Sequence, residues 1–428
     1  MKSEKVNGYM LGRSNMALLA VLMICSLAVV GCATFKPRPM EQVPFRERAQ
    51  TKYENNARVM AAVPSAKESK MLFGVHIYKR GVQPIWLEIE NRDEDLLYFL
   101  PIGLDPNYFS PIEAAFVNHF GFKTPANDEM NRYFLDRGHG IRIAPGSVRS
   151  GFVYTPVDEG TKEFNVDLIG EDHDVRTFTF FIQVPGLRAD HHQVDFEALC
   201  PRDRIVSYDE EGLRKALENQ PCCATNKNGT AQADPLNLVV IGEAEDVLYA
   251  FIRPGWDETE TIHAGSAWRT GMSFIFGGRY RYSPISSLYV YGRSQDVAFQ
   301  KARGSIHERN HLRLWLSPMR LEEKPVWIGQ ISRDIGVRFS WKTILTHKID
   351  PDVDETRDFL IQDLWYSQGL AKIGYVKGVG PSPVSEPRHN LTGDPYFTDG
   401  LRAVLWVSSD PVGLQEAEFV EWEIPPDH

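Results

Sequence analysis

Residues Met16–Gly31 are an uninterrupted run of small and apolar side chains that ends on Cys32. Lys2, Lys5 and Arg13 precede it. As a helix the run would span about 24 Å at ~1.5 Å per residue, short of the ~30 Å hydrocarbon core of a bilayer. A basic start, a short apolar stretch and a small-residue exit are the pattern of an export signal that is removed. The exit, Leu27-Ala-Val-Val-Gly-Cys32, resembles a lipobox. Cleavage after Gly31 would leave Cys32 as a diacylated N-terminus, and Ala33 in place of Asp resembles an outer-membrane address where a cell has two membranes. Two alternatives stay open: an ordinary cysteine after an ordinary signal, or an apolar run kept as an anchor. The chain beyond Cys32 is then expected to fold on the periplasmic side, in the cell envelope.

Export sets the cysteine chemistry. Cys25 leaves with the signal and Cys32 carries lipid, so Cys200, Cys222 and Cys223 face an oxidising compartment. The expectation is a bridge from Cys200 to one of the adjacent pair, with one thiol left over. A metal site is the weaker alternative, because adjacent cysteines do not easily share a tetrahedral ion. A net charge of −10 with no long basic run argues against nucleic acid as partner, since phosphate contacts need clustered cations. The 428 residues, 43% hydrophobic and 24% charged, are enough for two folded domains.

The organisation expected is a signal over 1–31, a lipid-anchored tether over 32–52 and a β-sandwich domain over 53–200. A bridging helix and Cys-containing linker (201–232), a second domain (233–410) and a tail (411–428) complete it. In the first domain Ile85, Leu87 and Ile89 alternate with Trp86, Glu88 and Glu90. Further period-2 runs cover 141–143, 151–154, 164–168 and 177–184, separated by Gly and Pro turns. That spacing predicts an antiparallel sandwich, with a helical insert near Ser110–Phe120 and Pro111 in its first position. A Ser207/Glu210 capping box predicts a helix over Tyr208–Gln220.

The second domain reads β-α-β-β-α-β. Its strands fall at Leu236–Ile241, Leu312–Leu316, Val326–Ser332 and Ala403–Val407, and its helices at Ala244–Arg253 and Asp350–Gln368. Asp350 is expected to cap the latter and Pro351 to occupy its first position. That order is compatible with a ferredoxin-like α+β fold. The whole is an α+β multidomain chain.

The second domain resembles the LssY C-terminal domain family. The residues that carry the resemblance begin with Asp234-Pro-Leu-Asn-Leu-Val-Val-Ile-Gly242, Leu288-Tyr-Val-Tyr-Gly-Arg293 with Asp296, and His311-Leu-Arg-Leu-Trp315. They continue with Val326-Trp-Ile-Gly329, Ser332-Arg-Asp-Ile-Gly336, Thr346-His-Lys-Ile-Asp-Pro-Asp352 with Arg357-Asp358, and Gly393-Asp-Pro-Tyr-Phe-Thr-Asp-Gly400. Members can carry this domain behind polytopic segments similar to lipid phosphatases or transporters. No such segment stands in these 428 residues, so no phosphatase residues are carried over, and the resemblance implies no established activity.

The residues suggest two functions. His311 and Arg313, two apart on a strand, share a face, Arg333-Asp334 lies past a strand end, and His347 precedes an acid-rich helix start. His347, Asp350 and Asp354 with His311 could hold a divalent metal (Zn, Mn or Mg) and activate water for hydrolysis of phosphate-bearing substrates. Against this, helix capping and the helix dipole already account for the acids. No nucleophile elbow, Walker loop, HExxH or dinucleotide fingerprint is present. The preferred expectation is a non-enzymatic envelope protein that binds a partner protein or small ligand. The aromatic run Trp268–Tyr291 reads as a half-buried hairpin, and His191-His192 as solvated.

Overall fold

The computed structural model describes residues 35–121, 124–158, 160–170, 174–186, 199–259, 285–302, 309–338 and 346–426. The signal segment, Cys32, His191-His192 and most of the aromatic run (268–284) lie outside them. Two compact units result: Met1–Asp158 with Phe164–Phe180, and Glu159–Glu163 with Phe181–His428.

The first unit holds two four-stranded antiparallel sheets. One joins β1 (Gln50–Glu54), β2 (Ala57–Ala62), β3 (Val82–Asn91) and β6 (Val148–Pro156) in the order β1-β2-β3-β6. The other joins β4 (Leu97–Phe99), β5 (Arg142–Ile143), β7 (Gly160–Ile169) and β8 (Val175–Val184) in the order β5-β4-β7-β8, residues 160–163 of β7 and 181–184 of β8 belonging to the second unit. Ile85, Leu87 and Ile89 are buried, as the alternation along β3 requires, while Glu88 and Glu90 on the other face pair with Arg58. Trp86 is buried as well, because Phe45 packs edge-on against it at 6.0 Å.

That contact corrects the expected tether. Phe35, Val43 and Phe45 all enter the core of this unit, so the chain over 35–49 is fixed to it. Their uneven spacing carries no period, yet a fully buried Phe side chain contributes roughly 2–3 kcal/mol. The unit also holds α1 (Ala66–Phe73), α2 (Pro111–Phe116) and α3 (Pro125–Arg137), beside a single helical turn at Pro101–Leu104. The first two start in capping boxes, Ser65 with Glu68 and Ser110 with Glu113, and Pro111 takes the first turn of α2.

The second unit is α+β. Its strands are β9 (Val206–Tyr208), β10 (Cys223–Thr225), β11 (Gln232–Pro235), β12 (Leu238–Ile241), β13 (Asp257–Glu258), β14 (Tyr289–Val290), β15 (Arg293–Ser294) and β16 (Val297–Ala302). They continue as β17 (Arg309–Leu321), β18 (Lys324–Arg338), β19 (Thr346–Ile349), β20 (Leu370–Lys377), β21 (Arg388–His389), β22 (Pro395–Tyr396), β23 (Leu401–Val407) and β24 (Glu418–Phe419). The helices are α4 (Glu210–Glu218), α5 (Ala244–Ile252) and α6 (Val353–Tyr366).

The main sheet has the order β13-β16-β17-β18-β12-β23-β20-β24, with β19 on β18 and β9 on β17. Val247, Phe251, Leu360 and Leu364 of α5 and α6 pack on one face against Leu312, Leu314, Ile331 and Leu405. Leu213 and Leu217 of α4 pack on the other, against Trp315, Ile328, Val404 and Trp406.

All six elements expected here are present, and the main sheet gains further strands, of which β20 lies among the expected ones in chain order. It comes after α6, and β23 turns back on it as an antiparallel partner while running parallel to β12. A register irregularity between Leu370 and Lys372 breaks the alternation that would have marked β20 in the sequence.

Two caps also differ from expectation. Asp352, not Asp350, caps α6 by accepting from Asp354 N–H and Glu355 N–H, while Asp350 accepts from Asp352 N–H at 3.1 Å in the preceding turn. Pro351 lies outside the helix because its carbonyl accepts from Phe397 N–H at 2.9 Å. Asp209 caps α4 through Gly212 N–H. Ser207 belongs to β9 and donates its hydroxyl to Glu322 O at 2.9 Å.

Candidate functional site

Alternation along β17 sends Leu312, Leu314 and Leu316 to the α5–α6 core, leaving Arg309, His311 and Arg313 together on the opposite face. The register places Ser332 of β18 opposite His311 and Gln330 opposite Arg313, with Gln300 of β16 flanking His311. Asp334 is two residues beyond Ser332 and so faces the same way. Its Oδ2 stands 2.7 Å from His311 Nε2 and 3.7 Å from Arg309 Nε. Arg309 Nη1 donates to Gln300 Oε1 at 2.5 Å. Arg313 donates to Gln330 Oε1 at 2.6 Å and to Ser286 O at 3.1 Å. Asp234 lies within the electrostatic range of Arg313 and Asp334 and accepts from Asn390 Nδ2 at 3.0 Å.

This polar layer is buried. His311 is 6% exposed, and burial pushes its pKa down to about 4 against the pull of Asp334. Near neutral pH it is an uncharged imidazole, well below the range that suits a general base at that pH. Burial raises the Asp234 carboxyl and lowers the Arg309 guanidinium.

The remaining candidates do not converge here. Arg333, next to Asp334 in sequence, points to the other face, where its guanidinium lies 5.4 Å from the Phe359 ring of α6. Sequence adjacency in a strand guarantees that separation. His347 sits on β19 opposite Val337; its side chain is outside those described. Both carboxylate oxygens of Asp354 are engaged within the protein. Oδ1 accepts from the Thr398 hydroxyl at 2.8 Å, Oδ2 accepts from Asp399 N–H at 2.6 Å, and Arg357 Nη1 lies 3.2 Å from Oδ1. Among the described residues no group of three His, Cys, Asp or Glu side chains is arranged to hold a metal ion.

The expected Cys200 bridge is not formed. Cys222 and Cys223 are joined to each other, and the Cys200 thiol donates to Ser317 O at 3.5 Å. β17 holds Cys200 there while β10 begins at Cys223, so the third cysteine is engaged elsewhere.

Several residues of the family-like motifs are fasteners. Arg293 grips Asp296 with two bonds of 2.8 Å and donates to Leu316 O, while Asp296 accepts from Leu316 N–H. Asn237 ties β12 to β18 and α6 through Ile331 and Val353 O. Arg357 closes on Asp399 in the Gly393–Gly400 stretch. Gln300, Gln330, Asp234 and Arg309 were not anticipated as part of the polar layer. For Arg309 the signal existed, since it continues the His311, Arg313 alternation by one step.

A mostly antiparallel sheet covered by helices, with a buried His–Asp and arginine layer at one end and arginine clips at its loops, defines an α+β module. Residues 214–401 match the family described as LssY C-terminus. The chain carries a domain of that family, spanning α4 to the start of β23. No curated protein matches the chain.

Proposed function

We infer that this protein is a lipid-anchored envelope protein, diacylated on Cys32, whose LssY C-terminal domain binds a partner or ligand without catalysing a reaction. It would face the periplasm, on the outer membrane where there is one. The observation that carries the non-enzymatic part is the division of the candidate groups. His311 and Asp334 are buried as a pair, Arg313 is clamped by Gln330, and Arg333 lies across the sheet. In the same reading the first unit's two sheets form a sandwich. The second unit's central strands, β17-β18-β12-β23, then take a ferredoxin-like order, with β20 added beyond β23.

One observation favours a second reading: His311 and Asp334 stand between Arg309 and Arg313, a set that would suit a phosphate-bearing substrate of a metal-dependent hydrolase. Metal analysis by mass spectrometry and a phosphatase panel, on wild type and His347→Ala, separate the two. Stoichiometric Zn or Mn lost in the variant, with turnover, supports the hydrolase. No metal and no difference on the panel supports the binding protein. Cys32→Ser is expected to leave the membrane fraction; retention there would mean the apolar run was never cut.

A further inference from the structure

Cys32 stands three residues before Phe35, and three residues of extended chain reach at most about 11 Å. Phe35 is buried, its ring edge-on to Tyr133 of α3 at 5.4 Å. Arg38 N–H then donates to Met71 O at 2.8 Å. Gly74, at φ +65°, lies so close to the Lys36–Pro37 peptide that a Cβ there would stand 2.9 Å from the Lys36 carbonyl carbon. The chain is therefore fastened at the C-terminal end of α1 almost as soon as it leaves Cys32, with no slack for a flexible stalk.

The charge around this entry point is opposite to that of the chain. Residues 35–81 carry ten Lys and Arg against four Asp and Glu, a net +6, whereas the whole chain is −10. Glu68 is matched by Arg48, while Lys36, Arg38, Lys70 and Lys79 are exposed. Two of these cations converge on His76. Its pKa is lowered by slight desolvation first, then by the charges of Lys70 and Lys79. A basic face beside an acyl anchor is the arrangement that supplements a lipid chain with attraction to anionic headgroups.

We propose that this anchor-proximal face of the first unit, formed by Lys36, Arg38, Lys70, His76 and Lys79, rests on the anionic phospholipid headgroups of the leaflet that holds the acyl chains. The proposal rests on the lipidation of Cys32. The first unit is then a membrane-apposed body.

The test uses the full lipidated chain mixed with vesicles of phosphatidylcholine alone, or with about a third phosphatidylglycerol. Flotation is scored first. Amine acylation of individual lysines is then measured by mass spectrometry, with Lys227 and Lys324 of the second unit as internal references. In the anionic vesicles Lys36, Lys70 and Lys79 should react at least about threefold more slowly than in the neutral ones, and high salt should abolish the difference. Flotation with both vesicle types but equal lysine reactivity would overturn the docking face and leave the anchor standing. Flotation with anionic vesicles only would overturn the anchor and leave the face standing. Flotation with neither would overturn both.

Discussion

Arg357 and Asp399 meet through two parallel hydrogen bonds, Nη1 to Oδ1 at 3.0 Å and Nη2 to Oδ2 at 2.9 Å, with the side chains 0% and 2% exposed. The same guanidinium lies 3.2 Å from Asp354 and donates to Leu401 O. Three carboxylates around it, those of Asp354, Asp358 and Asp399, hold its pKa above the ordinary range despite burial. This pair locks the loop before β23 onto α6. Removing the arginine would leave Asp354 and Asp399 buried without their cation, which costs about 3–5 kcal/mol. Arg357→Leu is therefore expected to lower the denaturant midpoint of the second unit sharply. Arg357→Lys should rescue only part, because an ammonium cannot make the two-pronged contact. A Lys variant as stable as wild type would contradict this geometry.

His311 predicts a pH dependence. Its folded pKa of about 4 lies below the ordinary 6.5, so the unfolded chain binds the proton more readily. Stability is therefore fully present above pH ~6.5, falls as the pH drops toward 4, and levels off below that, by on the order of 3 kcal/mol in all. His139 of the first unit, half-buried and also lowered to about 4 by desolvation, should act in the same window. Chemical denaturation from pH 7 to 4 should give His311→Gln a slope shallower by up to one proton. Parallel curves for variant and wild type would be inconsistent with a neutral, buried imidazole.

The helix cap can be checked by two substitutions. Asp352→Ala removes the acceptor for Asp354 and Glu355 N–H and should cost about 1 kcal/mol. Asp350→Ala removes one turn contact and should cost less. The reverse order in urea titrations would restore Asp350 as the cap.

How far the sequence could go depended on whether burial left a period. β3, β12, α5 and α6 were legible because their apolar residues repeat at 2 or 3.6, or run unbroken through a strand buried on both faces. The segment holding Phe35 and Phe45 was not, since burial there serves Tyr133 and Trp86 and obeys no period. α3 was missed because only Asn127, Met130 and Phe134 are buried and Thr124 makes no side-chain cap. At the site, the shared face of His311 and Arg313 could be read from their spacing. The pairing of His311 with Asp334 could not. It depends on the β17–β18 register, which shifts between Leu316 and Arg320, and nothing local in the sequence marks that shift.

The cysteines give a direct count. Among the described cysteines, with Cys222 joined to Cys223 and Cys200 free, alkylation of the denatured, unreduced protein should modify Cys200 and neither of the pair, and reduction should expose all three. In the folded protein Cys200 should react slowly, since burial raises its thiol pKa and the thiolate is the reactive form. A peptide map linking Cys200 to either neighbour would reinstate the bridge expected from the cysteine count.

Arg402 makes the most demanding prediction. It is fully buried, and its guanidinium donates to five main-chain carbonyls: Leu217, Gln220, Pro221, Leu236 and Gly378. Burial lowers its pKa to about 10, still far enough above neutrality to keep it charged. These carbonyls come from the end of α4, the turn after it, the residue after β11 and the residue after β20, so one side chain fastens four segments. The planar fork has five N–H donors and an ammonium has three, so Arg402→Lys leaves at least two carbonyls without this donor. At about 1–3 kcal/mol for each buried group left unsatisfied, the loss should be roughly 2–6 kcal/mol. Hydrogen exchange should show it first at the amides of α4 and β10, because those elements reach the sheet partly through this residue. A Lys variant with wild-type exchange at α4 would mean that α4 is held without Arg402, by Leu213 and Leu217 and the ion pairs of Glu210 and Arg214.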